Sequence, residues 1–181
     1  MHLFMNSPNQ VASFAQSTQV IMRIKTEETL EQLRKSVEEV FLIMLDTEAC
    51  LIEAPENSDP VAYEAAIDIE AVVEFTGQPK GAVLLRATHA SAADIARKLL
   101  MMEPTDEVDF EDVEDALGEC ANMVTGAFKS RVLDPRGNFQ LGTPTIDTRV
   151  QIDHEHRAGN LLFKHHEGHL AVEIWLSEEN A

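Results

Sequence analysis

In the segment EDVEDALGECANMVTGAFKSRVL, Glu119 and Asn122 stand three positions apart, and Gly126 follows about one helical turn later. On a helix each residue advances about 100°. Val113, Leu117, Cys120, Ala121, Val124 and Phe128 then fall on one side and form a core stripe. Asp115, Glu119, Asn122 and Gly126 fall on the opposite side and face solvent. Residues three apart on a helix are neighbours, so Glu119 and Asn122 make a polar pair. The composition of that outer face works against the helix: Asn is a poor interior helix former, and Gly costs about 1 kcal/mol relative to Ala. Glu, Asn and a bare Gly suit a polar probe with space for another protein's backbone to come close. Spacing alone leaves an ordinary solvated face open as the alternative.

No other constellation competes for chemistry. The sequence holds no Ser-His-Asp set, no cysteine nucleophile with a partner motif and no Gly-rich loop that would cradle a phosphate. Five of the seven histidines lie late in the chain: His154, His156, His165, His166 and His169. On a strand His154 and His156 share a face, which is the spacing of a metal pair and equally that of two solvent-facing residues near an edge. The expectation adopted is no metal site. Cys120 falls on the core stripe and reads as a small buried hydrophobe. Met44, Met101 and Met102 read as core or interface filler. Lys129 and Arg131 come in the last turns of the helix, where cations favour its dipole. Lys129 is also near the outer face, within reach of a partner.

The elements that must hold this helix can be read on either side of it. TEETLEQLRKSVEEVFLIML is a helix with Thr26 as N-cap, Glu27 and Glu28 in its first turn, and an apolar stripe of Leu30, Leu33, Val37, Val40, Phe41 and Met44. LIEAPENSDP is a loop. AIDIEAVVEF and GAVLLRAT are strands; in the first, Ile67, Ile69, Ala71 and Val73 alternate with Asp68, Glu70 and Val72. TGQPK between them suits a hairpin turn, so the strands pair antiparallel. SAADIARKLLMM is a short helix capped by Ser91, with Ile95, Leu99, Leu100 and Met102 inward. The long helix spans Phe110 to Leu133 and stops at DPRGN. FQLGTPTID, TRVQIDHEH, NLLFKHH and HLAVEIWL are strand-like, the last two flanking a tight turn at EGH.

Composition bounds the rest. The chain has 181 residues, 44% of them hydrophobic, which suits one domain with a real core. Its net charge of -18 repels phosphate backbones and anionic lipid, so nucleic-acid and membrane-surface functions are set aside. Its two cysteines, Cys50 and Cys120, make no CxxC. No apolar run approaches the roughly 20 residues of a membrane span, and the first residues lack a signal-peptide pattern. A cytoplasmic location is the expectation. Residues 1–25 read as an N-terminal extension and 26–181 as the domain.

The run DALGECANMVTGAFKSRV resembles the signature helix of the CheX and CheC chemotaxis phosphatases, whose pattern is Glu-x-x-Asn with a following Gly. FLIMLDTEA resembles the end of that family's first helix, FTGQPKGAVLLRAT its hairpin with a Gly on each side of the turn, and LGTPTI its strand with a Pro near the start. The likeness spans roughly residues 35 to 150. CheC-type members carry two motifs; here only Glu119-x-x-Asn122 is found, as in the CheX-type arrangement. The resemblance implies an α+β, CheC/CheX-like fold: a largely antiparallel sheet packed by two long helices and one short one. It also implies a homodimer, a view supported by apolar alternation in the C-terminal strands that would give an exposed edge something to pair with.

The implied activity is hydrolysis of the phospho-aspartate of a CheY-like response regulator. Phosphoryl transfer passes through a loose transition state and asks mainly for a water held in line. An Asn amide can accept from and donate to that water. The resemblance assigns Asn122 that role and assigns Glu119 a salt bridge to the active-site lysine of the receiver domain. The regulator brings its own divalent metal, usually Mg2+; no cofactor is expected on this chain. Asp115, Gly126 and Lys129 complete the expected docking surface. The competing class is a non-catalytic module that docks on a response regulator or joins a signalling assembly. A small-molecule-binding domain needs convergent polar groups in a pocket, and the sequence reveals none.

Overall fold

The computed structural model describes residues 27–52, 67–77, 80–147, 157–166 and 168–177. The N-terminal extension, the Thr26 cap and the strand-like segment TRVQIDHEH lie outside these residues. In chain order the elements are α1 (27–44), β1 (Cys50–Leu51), β2 (Ile69–Thr76), β3 (Lys80–Ala87), α2 (His89–Leu99), α3 (Phe110–Phe128), β4 (Gln140–Leu141), β5 (Thr145–Asp147), β6 (Arg157–His165) and β7 (Gly168–Ser177). The strands form one antiparallel sheet in the order β1-β6-β7-β3-β2-β4, with β5 also paired to β2. The α+β architecture and the β2–β3 hairpin match the sequence reading.

The period-two alternation decides which way each strand faces. Ile69, Ala71, Val73 and Phe75 of β2, Val83, Leu85 and Ala87 of β3, and Leu170, Val172 and Ile174 of β7 are all buried in the apolar core. The helices contribute Leu33, Val37 and Phe41 from α1, Ile95 from α2, and Leu117, Val124 and Phe128 from α3. α3 packs against α2 and β2.

The other face of the sheet holds a surprise. Glu70, read as an outward polar residue, is buried, as are Arg86 and Glu173. Arg86 Nε donates to Glu70 Oε2, and its Nη1 donates to Glu173 Oε1 at 2.9 Å. Trp175 Nε1 donates to Glu173 Oε2 at 3.0 Å. A buried charge is tolerated only when paired and hydrogen-bonded, and this triad of β2, β3 and β7 meets that condition. Its residues alternate out of the apolar set, which is why periodicity alone assigned Glu70 to solvent.

Several local expectations need correction. Met44 is 57% exposed while Leu45 is 2% exposed. α1 ends at this point: Leu45 and Thr47 both donate their N–H to Phe41 O, and Asp46 takes φ 48°. This terminating turn swings Leu45, four residues after Phe41, into the core in place of Met44. The segment read as a loop opens with a strand, since Leu51 pairs with Phe163. α2 is capped by Thr88, whose hydroxyl accepts from Ser91 N at 3.3 Å. Ser91 lies inside the helix, buried, and donates to His165 O. Leu100 caps the C-terminus of α2 and is exposed, and Met101 is 95% exposed at φ 57°. Leu100 was expected inward and Met101 as core or interface filler; the chain leaves the helix too early for either to reach the core. Of the C-terminal strands, β7 is paired on both sides by β6 and β3, while among the described residues β1 pairs with β6 only at Phe163 and Lys164.

Candidate active site

α3 begins after Asp109 with Glu111 and Asp112 in its first turn, where negative charge suits the helix dipole. Its inner face is fixed by Val113, Leu117, Cys120, Ala121, Val124 and Phe128, all buried, as the projection requires. Burial pushes the Cys120 thiol up to about 12, with the neighbouring Glu119 charge adding to the effect. That cysteine is a packing residue with no thiolate to offer. Thr125 is also buried, and its hydroxyl donates to Ala121 O at 2.7 Å, so it is satisfied within the helix.

On the outer face Asp115 and Glu119 are exposed, and Asn122 and Gly126 are half-buried. Among the described residues the Glu119 and Asn122 side chains make no hydrogen bond or ion pair. Two adjacent polar groups are thus anchored by a packed helix and left without an internal partner. A Cβ added at Gly126 would meet nothing within 4 Å, so packing inside this chain does not require the glycine. Lys129 departs from the expected role in one respect: its Nζ is engaged by Asp134 Oδ1 at 2.7 Å. It sits in a π-helical turn, Lys129–Leu133, that continues α3 and leads into a 3-10 turn, Asp134–Arg136. Arg131 in the same turn pairs with Glu39 of α1.

Sequence reasoning missed Gly118, next to Glu119. It is buried, and a Cβ there would lie 3.3 Å from Ile146 Cδ1 and 3.5 Å from Pro144 Cβ. The absence of a side chain lets the β5 segment lie close against α3 beside the polar pair. The signal was available as a second glycine inside the helical pattern.

Glu119 can bind a cation and Asn122 can orient a water, but among the described residues neither has a base or nucleophile bonded to it. No helix of the described residues is long and apolar enough to cross a membrane.

Comparison with known proteins gives this geometry a family. The crystal structure of the chemotaxis protein CheX from Vibrio vulnificus is similar at TM-score 0.66 and 23% identity, over 83% of this chain and 97% of that one. A CheC-like superfamily protein from Shewanella sp. PV-4 is similar at TM-score 0.64 and 23% identity, over 82% and 97%. CheX in the CheX–CheY–BeF3–Mg2+ complex from Borrelia burgdorferi is similar at TM-score 0.63 and 17% identity, over 82% and 97%. No curated protein sequence matches the chain. The family model described as chemotaxis phosphatase CheX matches residues 69–164, which include β2, the hairpin, α2 and the whole of α3. This chain belongs to the CheX chemotaxis phosphatase family.

Proposed function

We propose that this protein hydrolyses the phospho-aspartate of a CheY-like response regulator. One observation carries the reading: Glu119 and Asn122 stand side by side on a core-anchored helix with no partner among the described residues, near a glycine, Gly126, whose Cβ would meet nothing within 4 Å. Asn122 holds the attacking water in line with the leaving carboxylate, donating and accepting through its amide. Glu119 pairs with a lysine of the receiver domain, which cancels its charge near the phosphoryl group. The receiver supplies Mg2+ and the acyl phosphate; this chain supplies position. The products are aspartate and inorganic phosphate, with no covalent intermediate on this chain. The Borrelia burgdorferi complex, in which a CheX binds CheY with BeF3 and Mg2+, supports a receiver domain as the partner.

The exposed acidic face formed by Asp115 and Glu119 suits a basic receiver surface. Gly126 allows backbone to approach, and Lys129 becomes available only if its bond to Asp134 opens. The working form in this proposal is a cytoplasmic homodimer; sedimentation that finds only the 20.1 kDa chain at high concentration contradicts the dimer. Phosphate release from a phosphorylated receiver, measured with and without the protein, tests the activity. Faster release supports catalysis. Binding without acceleration supports the docking-module reading instead.

A further inference from the structure

Where β6 ends against α2, three side chains converge that the proposed phosphatase reaction does not use. β6 directs Phe163 and His165 into the core, and His165 is fully buried with its ring edge-on to Phe41 at 5.1 Å. His166 follows at φ 50°. Two consecutive strand residues would point to opposite faces. The left-handed turn at His166 instead folds the second ring beside the first, with centroids 4.9 Å apart. Asp94 of α2 reaches in from above: its Oδ2 lies 3.5 Å from His165 Nε2 and 3.4 Å from His166 Nε2.

These contacts are too long for good hydrogen bonds. Both ring nitrogens of His165, and Asp94 Oδ2, are buried without a hydrogen-bond partner. Buried polar atoms left unsatisfied are uncommon in folded proteins and ask for an explanation. A metal ion provides one. Around a tetrahedral ion with bonds of about 2.0–2.1 Å, neighbouring donor atoms lie about 3.3–3.4 Å apart. Two of the three separations in the cluster are close to that value, and all three donor atoms lie within 4.8 Å of one another. His166 Nε2 also shares a hydrogen bond with Thr47 Oγ1 at 2.9 Å, which an ion at this nitrogen would displace. Burial grades from His165 at 0% through Asp94 at 18% to His166 at 48% side-chain exposure, so an ion has a path in from solvent.

We propose that Asp94, His165 and His166 form a binding site for a divalent transition-metal ion of the zinc class, with water in the fourth position. Two imidazoles and one carboxylate suit zinc or its neighbours, whereas Mg2+ and Ca2+ prefer all-oxygen sets. The bound ion joins α2 to the β6–β7 turn, next to the loop that ends α1. Lys98, one turn beyond Asp94, places a positive charge near His165 that opposes cation binding, and Asp94 offsets it. The role is a structural clamp, independent of Glu119 and Asn122.

The test uses the tag-free full chain, stripped with a chelator and titrated with Zn2+ by calorimetry, and with Co2+ by absorbance. The expected result is uptake of about one ion per chain, a rise in melting temperature on adding Zn2+, and a four-coordinate Co2+ spectrum. Asp94→Asn and His166→Ala should each weaken Zn2+ binding by at least about tenfold. Both should melt like the unsubstituted chain when metal is absent, since each site is partly open to solvent. A His154→Ala/His156→Ala chain should bind as before. The proposal is overturned if the unsubstituted chain takes up no stoichiometric ion. It is equally overturned if Asp94→Asn and His166→Ala keep full affinity, or if the His154/His156 change abolishes binding.

Discussion

Gly126 separates what this helix needs from what its partner needs. A Cβ at that position meets nothing within 4 Å, so Gly126→Ala introduces no internal clash. It should stabilise the helix, because Gly is about 1 kcal/mol worse than Ala in a helix interior. For a domain of this size that is a rise of roughly 2–4 °C in melting temperature. If a receiver backbone packs on this face, the same methyl group is overpacked in the complex. Overpacking costs roughly 1–3 kcal/mol, and each 1.4 kcal/mol is about tenfold in affinity. Gly126→Ala should thus weaken receiver binding by roughly five- to a hundredfold while making the free protein harder to melt. Gly126→Gln, which projects further, should be worse for binding at similar stability. Thermal melts and titration of a BeF3-activated receiver supply both numbers. If Gly126→Gln is folded and both binds and dephosphorylates like the parent, no close approach occurs there and the docking face has been misplaced.

Asn122→Ala should keep binding to the phosphorylated receiver yet lose on the order of a hundredfold in stimulated phosphate release, visible in single-turnover decay. Glu119→Ala should show the opposite emphasis, weaker binding with a secondary loss of rate, and Glu119→Lys should bind worse again; affinity measured at several salt concentrations checks the charge pairing. Arg86→Met leaves Glu70 buried without its cation and Glu173 with only Arg157 at 3.5 Å and the Trp175 indole, and should cost about 3–5 kcal/mol in urea unfolding. In thiol alkylation followed by mass spectrometry, exposed Cys50 should react in the native state and buried Cys120 only on unfolding. Cys120 also gives a signed pH effect. Above its ordinary value of 9.0 the unfolded chain releases the thiol proton, while the folded chain holds it to about 12, so its contribution to stability is lost as pH rises between those values.

The parts of the molecule that obey a single period were legible in the sequence. α3 is the clearest case, because all six residues of its core stripe are buried and its polar face is open. The hairpin followed from alternation and from a turn rich in Gly and Pro. Legibility failed where tertiary contacts override local pattern. Glu70 looks solvent-facing until Arg86, sixteen positions away, is brought opposite it. Leu45 replaces Met44 because a terminating turn, and not the helical period, sets its direction. Thr88 and Ser91 are both good caps, and only the path of the chain out of β3 selects Thr88. The meeting of Asp94 with His165 and His166 depends on a left-handed residue that carries no glycine signal.

The buried triad also bears on how the chain finds its fold. Arg86 lies opposite Glu70 across β2–β3, while Glu173 pairs across the β3–β7 ladder with Leu84, two residues from Arg86 on the same face. If either partner strand slipped by one residue, its carboxylate would turn into the apolar layer and Arg86 would lose that contact. Such mispaired sheets, otherwise similar in hydrophobicity, carry a penalty of several kcal/mol per stranded charge. The triad therefore acts as a proofreading device for three strands at once. Because α3 rests on β2, correct registry there also determines where Glu119 and Asn122 are presented.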